Sequence, residues 1–157
     1  MSNILLISGP QGTGNHVFSK VLSMHKDVHG WDQLLREYWV SHGGAPYKNI
    51  WNNPELIHDH DWTEHENYLL SVSGPYVHKN KEGVRHTVYP KYTEVCKILE
   101  TKGNLQVGII GRDQNITLQN QLRKRGVESL HNYLNKIEDL LEYNHTFLSV
   151  ELLYMFR

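Results

Sequence analysis

The sequence predicts a three-layer α/β fold: a mainly parallel central sheet flanked by helices. Three observations predict it. Two apolar runs, Asn3–Ser8 (NILLIS) and Leu105–Gly111 (LQVGIIG), have the composition of strands buried on both faces of a parallel sheet. A glycine-rich turn and an amphipathic helix follow the first run, the sequence form of a βα unit. Further apolar runs and helical periodicities alternate to the end of the chain.

Each element follows in order. The strand Asn3–Ser8 runs into SGPQGTGNH, from Ser8 to His16. Val17, Phe18, Val21, Leu22 and Met24 then recur at helical spacing, and His25–Val28 ends that helix. Trp31–Val40 reads as a second helix with Leu34, Leu35, Tyr38 and Trp39 on its apolar side. Between about residues 41 and 67 the periodicity fails. Glycine, proline, asparagine, histidine and tryptophan mix there, and the stretch reads as an irregular insertion with a short helix near Pro54–Ile57. Tyr68–Ser73 is a strand, stopped by Gly74-Pro75. Lys79–Gly83 is a polar turn into a small strand or loop at Val84–Tyr89. Pro90 opens a helix to about Lys102 with Val95, Ile98 and Leu99 inward, and Gly103 ends it. After Leu105–Gly111 come helices over about Ile116–Arg125 and Ser129–Tyr143, a last strand Thr146–Val150 and a helix starting at Glu151.

Composition bounds the function. The 157 residues make one domain's worth of chain, expected to fold as a single unit over 1–157. With 16 basic and 17 acidic residues, a large non-specific nucleic-acid surface is not expected. No apolar stretch is long enough to span a bilayer, and MSNILLISGPQG lacks the pattern of a signal peptide, so a cytoplasmic location with no membrane partner is expected. One cysteine, Cys96, excludes a disulfide framework and a multi-cysteine zinc site. The 11 histidines and 9 tyrosines supply many candidate acid–base groups.

The loop carrying Gly9, Gly12 and Gly14 lies between a buried strand and a helix start. Glycines there let backbone N–H groups turn toward an oxyanion, and the helix N-terminus adds positive potential. Gly9-x4-Gly14 fits the Walker A frame, but Asn15 and His16 stand at its Lys and Ser/Thr places. The missing lysine removes the charge that grips a triphosphate, and the missing hydroxyl removes the usual magnesium ligand. An unliganded strand-to-helix turn is the plain alternative.

From Gly14-Asn15-His16 through His25, Asp27 and Val28, the chain resembles the opening of P-loop sulfotransferases, which read Gly-Thr-Thr, a mostly apolar helix, then His-Pro-Asp-Val. Gly14 takes the family's loop glycine, and Asn15 and His16 replace its two threonines. Gly12 falls where the family carries Lys or Arg, and His16 or Lys20 is the candidate substitute. The second match follows the strand at Leu105–Gly111. Arg112-Asp113-Gln114 is similar to the family's Arg-Asp/Asn-Pro, with Asn120 at its serine place. Phe147–Leu153, with Glu151, resembles its strand followed by Tyr-Glu-Asp-Leu. The pattern is most similar to short sulfotransferase-like proteins of bacterial viruses, which would make host cytoplasm the location.

The resemblance implies 3′-phosphoadenosine 5′-phosphosulfate as cofactor, with no metal. Backbone N–H groups within residues 10–16, of which Pro10 has none, would hold the 5′-phosphate, Thr13 included. Arg112 and Asn120 would hold the 3′-phosphate, an assignment that suits the bidentate fork of a guanidinium at a strand's carboxyl end. The acceptor would be a small molecule or a carbohydrate, and its deprotonation needs a general base. His58, His60, Asp61, Glu64 and His65 are candidates, with His60 and His65 taken forward beside His16 and Lys20. As a metal site, His58-Asp59-His60-Asp61 and His65 lack a distant ligand pair and read as a polar loop. Trp51, Trp62 and Tyr76 are candidates for stacking on a ring or for packing. Arg123, Lys124 and Arg125 add positive charge after Asn120. Two other readings stand beside this one. A divergent P-loop nucleotide or nucleoside phosphotransferase would need magnesium and a carboxylate such as Asp113. An inactive module would bind nucleotide without transfer.

Overall fold

Residues 1–31, 36, 47–79 and 82–155 are described in a computed structural model of the chain. Nearly all of the helix expected over Trp31–Val40, the first part of the insertion and the tip of the turn at 80–81 lie outside them.

The strand β1 (Ser2–Pro10) is the middle of a five-stranded parallel sheet. Its apolar run is continuous because both of its faces are covered. Beside it lie β3 (Asn67–Gly74), in register from Asn3↔Asn67 to Pro10↔Gly74, and β6 (Gly103–Gly111), from Ser2↔Gly103 to Ser8↔Ile109. The short β2 (Val28–His29) pairs with β3 at one edge, and β7 (His145–Ser149) pairs with β6 at the other. The order is β2-β3-β1-β6-β7.

The pleat sends alternate residues to opposite layers. Ile4, Leu6, Leu70, Val72, Val107 and Ile109 enter one core, covered by α2 (Tyr92–Leu99) through Val95, Cys96 and Leu99. Tyr133 of α4 (Leu130–Leu134) and Leu140 of α5 (Glu138–Leu141) close that layer. Ile7, Leu69 and Ile110 face the other way, against Phe18 of α1 (Asn15–Ser23), Trp31, and Val150 of α6 (Val150–Met155). Helices therefore cover both faces, as expected from the sequence.

Three elements differ from expectation. The segment after Gly74-Pro75, a cis peptide bond, is a strand, β4 (Tyr76–Lys79), which forms an antiparallel hairpin with β5 (Arg85–Val88). The helix expected over Ser129–Tyr143 is two short helices, α4 and α5, because the chain tightens into a turn where the Lys136 N–H bonds the Tyr133 carbonyl at 2.9 Å. The described part of the insertion is a wall of the core. Its 3-10 helix (Pro54–Asp59), the short helix expected near Pro54–Ile57, buries Ile57, and Ile50, Trp51 and Trp62 are buried with it. The Trp62 indole donates to the Ile57 carbonyl at 2.8 Å, and the Lys91 N–H bonds the Trp51 carbonyl at 3.0 Å. Aromatic anchors of this kind leave no periodicity in the sequence.

Candidate functional site

After β1 the chain leaves through the glycine loop and α1 toward β2 and β3. After β6 it leaves through Arg112 and α3 (Gln114–Arg125) toward β7, on the other side. Neighbouring strands whose loops depart in opposite directions open a crevice at their carboxyl ends, the usual ligand position of an open α/β sheet. The two motifs singled out in the sequence flank this crevice.

The loop is built from inside. Gly12 has φ 85° and Gly14 φ 106°, left-handed backbone that a glycine adopts without strain. A Cβ on Gly14 would lie 3.1 Å from Val150 Cγ2, so the loop is also pressed against the start of α6. Thr13 is buried, and its hydroxyl donates to the Pro10 carbonyl at 2.7 Å. Asn15, at the place of the Walker lysine, is buried as well. Its amide donates to the Gly9 carbonyl at 3.1 Å and to Ser73 Oγ at 2.8 Å, while Oδ1 has no partner. Both side chains thus turn into the protein, and Asn15 joins the ends of β1 and β3. What the loop offers a ligand is backbone. Gly14 caps α1 with no side chain, so no cap side-chain oxygen covers the first-turn N–H groups, while its carbonyl accepts the Val17 N–H at 2.9 Å.

Arg112 supplies the charge. Its Nη1 lies 3.4 Å from the Gly12 carbonyl, and its Nε is buried without a hydrogen-bond partner. Glu151 Oε1 stands 3.9 Å from that Nε and accepts the Asp113 N–H at 3.0 Å. That bond, with Arg112 a smaller cause, holds the Glu151 carboxyl below the usual carboxylate range. Asp113 is engaged as the cap of α3, its carboxylate accepting the Ile116 N–H at 3.0 Å. Asn120 lies beside Gly12 and accepts from Arg123 at 3.2 Å.

No model of a known protein family matches the chain, and no curated protein matches it.

Gly9, Gly12, Thr13, Gly14, Asn15, Arg112 and Asn120 are gathered at the carboxyl ends of β1 and β6. His16 opens α1 there, its ring edge-on to Trp31 at 5.6 Å. Lys20 is on the exposed side of α1 in its last turn, about 9 Å along the axis from the cap. His60 and His65 are at the opposite, amino ends of the strands. Ser2, at the amino end of β1, donates to the carbonyls of Trp62 and His65 at 2.7 and 2.9 Å. The length of β1, roughly 26 Å at strand rise, separates them from the loop. His65 stacks on His29 at 3.9 Å, and His60 stands edge-on to Trp62 at 6.1 Å. His58 and Glu64 are exposed in the same stretch, and Asp61 is occupied by Thr63. Trp51, Trp62 and Tyr76 are buried in the core and present no ring to a ligand. Among the described residues no group of His, Cys, Asp and Glu is placed to hold a metal ion, and no helix is long and apolar enough to cross a membrane.

Two residues that matter were not singled out for their roles. Buried Gln121 donates to the Gln11 carbonyl at 2.8 Å and accepts the N–H groups of Ser129 and Leu130 at 2.7 and 3.1 Å. It ties the glycine loop to the junction of α3 and α4. A glutamine in a polar helix carries no sequence signal for this. Tyr92 lies under the end of β3, bonded to Ser8 Oγ at 2.6 Å, and burial pushes its pKa well up, so it stays neutral.

Proposed function

We propose that the crevice between β1 and β6 binds 3′-phosphoadenosine 5′-phosphosulfate and that the protein transfers its sulfuryl group to a small-molecule or carbohydrate acceptor. The observation that carries the reading is the Arg112 guanidinium. It lies over the Gly12 carbonyl with a buried Nε that has no partner. A desolvated donor without an acceptor costs free energy unless a ligand meets it. A phosphate oxygen suits a guanidinium in charge and in geometry. The loop's backbone N–H groups would hold the 5′-phosphate, and Arg112 with Asn120 the 3′-phosphate. Charge developing on the leaving phosphate would meet donors already in place, with no metal required. His16, at the head of α1, is the nearer candidate for the acid–base group, since His60 and His65 are a sheet length away.

A second reading, binding without transfer, is favoured by Gly12 itself. The position that holds a cation in sulfotransferases has no side chain here, and Lys20 is about 9 Å along α1 from the cap. The phosphotransferase reading gains nothing from Asp113, whose carboxylate is committed to the α3 cap.

The test has two stages. Adenosine 3′,5′-bisphosphate without magnesium should raise the melting temperature, whereas ATP with magnesium should not. At about a hundredfold excess over its Kd the nucleotide adds roughly 2.7 kcal/mol. Turnover of the phosphosulfate to the bisphosphate with an acceptor panel then separates transfer from binding. Stabilisation by ATP with magnesium alone would reject the assignment.

A further inference from the structure

Resting on the nucleotide reading above, we infer that Glu151 is a built-in counter-anion of Arg112 that lowers the affinity of the crevice for anionic ligands. The geometry assigns it this place. Glu151 is the second residue of α6, whose first residue, Val150, packs on the glycine loop beside Gly14. Its Oε1 accepts the Asp113 N–H at 3.0 Å and its Oε2 accepts from Ser149 Oγ at 3.2 Å, so the carboxylate is fixed by two donors that are not Arg112. It stands 3.9 Å from Arg112 Nε, outside hydrogen-bond distance, and Nε keeps no partner. The carboxylate therefore neutralises the guanidinium electrostatically without hydrogen-bonding it. The other charges nearby do not cancel this pairing. Asp113 points its carboxylate at the α3 cap, and Arg123 is bonded to Asn120.

A phosphate arriving at the guanidinium meets a negative charge within a few ångströms of its binding place. Both partners are partly exposed, so the repulsion is screened and modest. A residue that oriented Arg112 for the ligand would do the opposite, and its loss would weaken binding.

The variant Glu151→Gln keeps an acceptor for the Asp113 N–H and removes the charge. The probe is adenosine 3′,5′-bisphosphate, titrated into the full chain by calorimetry, with unfolding curves of each variant. The expected result is about three- to tenfold tighter binding at low ionic strength, shrinking toward none at about 1 M salt. In an Arg112→Ala background the gain should shrink, because no guanidinium then draws the phosphate to the place beside the carboxylate. Unchanged or weaker binding by Glu151→Gln, with the wild type binding, overturns the inference and leaves the nucleotide reading standing. Absence of binding by both forms overturns both. If Glu151→Gln does not fold, Glu151→Ala carries the same test, and loss of fold in both makes Glu151 a structural residue and overturns the assignment.

Discussion

Replacing Arg112 by alanine separates a ligand-binding arginine from a fold-supporting one. In the free protein this side chain holds little. Its hydrogen bond to the Gly12 carbonyl is long at 3.4 Å, the Glu151 carboxylate is at 3.9 Å, and that pair is partly exposed. Such contacts contribute about 0–1 kcal/mol. The buried, unpartnered Nε is itself a cost that the substitution relieves. Unfolding in urea should therefore change by no more than about 1 kcal/mol. Binding should respond differently, because a charge-assisted hydrogen bond to phosphate is worth about 1.5–3 kcal/mol. That is about ten- to a hundredfold in Kd. Calorimetric titration with adenosine 3′,5′-bisphosphate should show this loss, and titration with adenosine 5′-monophosphate should show little of it. Equal weakening of the two ligands would place Arg112 at the 5′ end. A stability loss well above about 1 kcal/mol would make it a structural residue, and the phosphate assignment would fail.

Further outcomes are expected. Gln121→Leu leaves the Gln11 carbonyl and the Ser129 and Leu130 N–H groups without their bonds, so it should cost at least about 2 kcal/mol in urea unfolding and weaken nucleotide binding severalfold; full stability would show that solvent replaces all three. A Cβ on Gly30 would sit 2.2 Å from the Leu69 carbonyl oxygen, so Gly30→Ala should cost about 3 kcal/mol or more, and a wild-type melting temperature would contradict the close approach of β2 and β3. Burial pushes Cys96 up to about 12 and Tyr76 and Tyr133 also to about 12. The folded state then holds protons that the unfolded state has released, so stability is full below about pH 9 and falls as the pH rises toward 12. Urea midpoints across that range check it, and a flat profile would contradict the burial. In the same native protein at neutral pH, Cys96 should resist a thiol reagent until the chain unfolds.

Much of this protein was legible in the chain because burial on both faces of a parallel strand is a local property. Asn3–Ser8, Tyr68–Ser73 and Leu105–Gly111 are apolar runs, and each is a strand of the sheet. The glycine turn before an amphipathic helix marks a helix start by backbone chemistry alone. Other features were decided only by contacts between distant residues. Strand pairing is non-local: His60 and His65, which precede β3, lie at the amino ends of the strands, away from the glycine loop, because β3 pairs in parallel with β1. Side-chain direction is non-local too. Asn15 stands where a phosphate-gripping lysine would be, yet its amide turns inward because the end of β3 offers Ser73 there. The tryptophans of the middle segment, Trp51 and Trp62, became core because the fold brings them against α2 and the sheet in one buried cluster. Arg112 was visible as a cation at a strand end. Its unpartnered nitrogen and its carboxylate neighbour Glu151 exist only because β6 and β7 lie side by side, a pairing that no spacing in the sequence encodes.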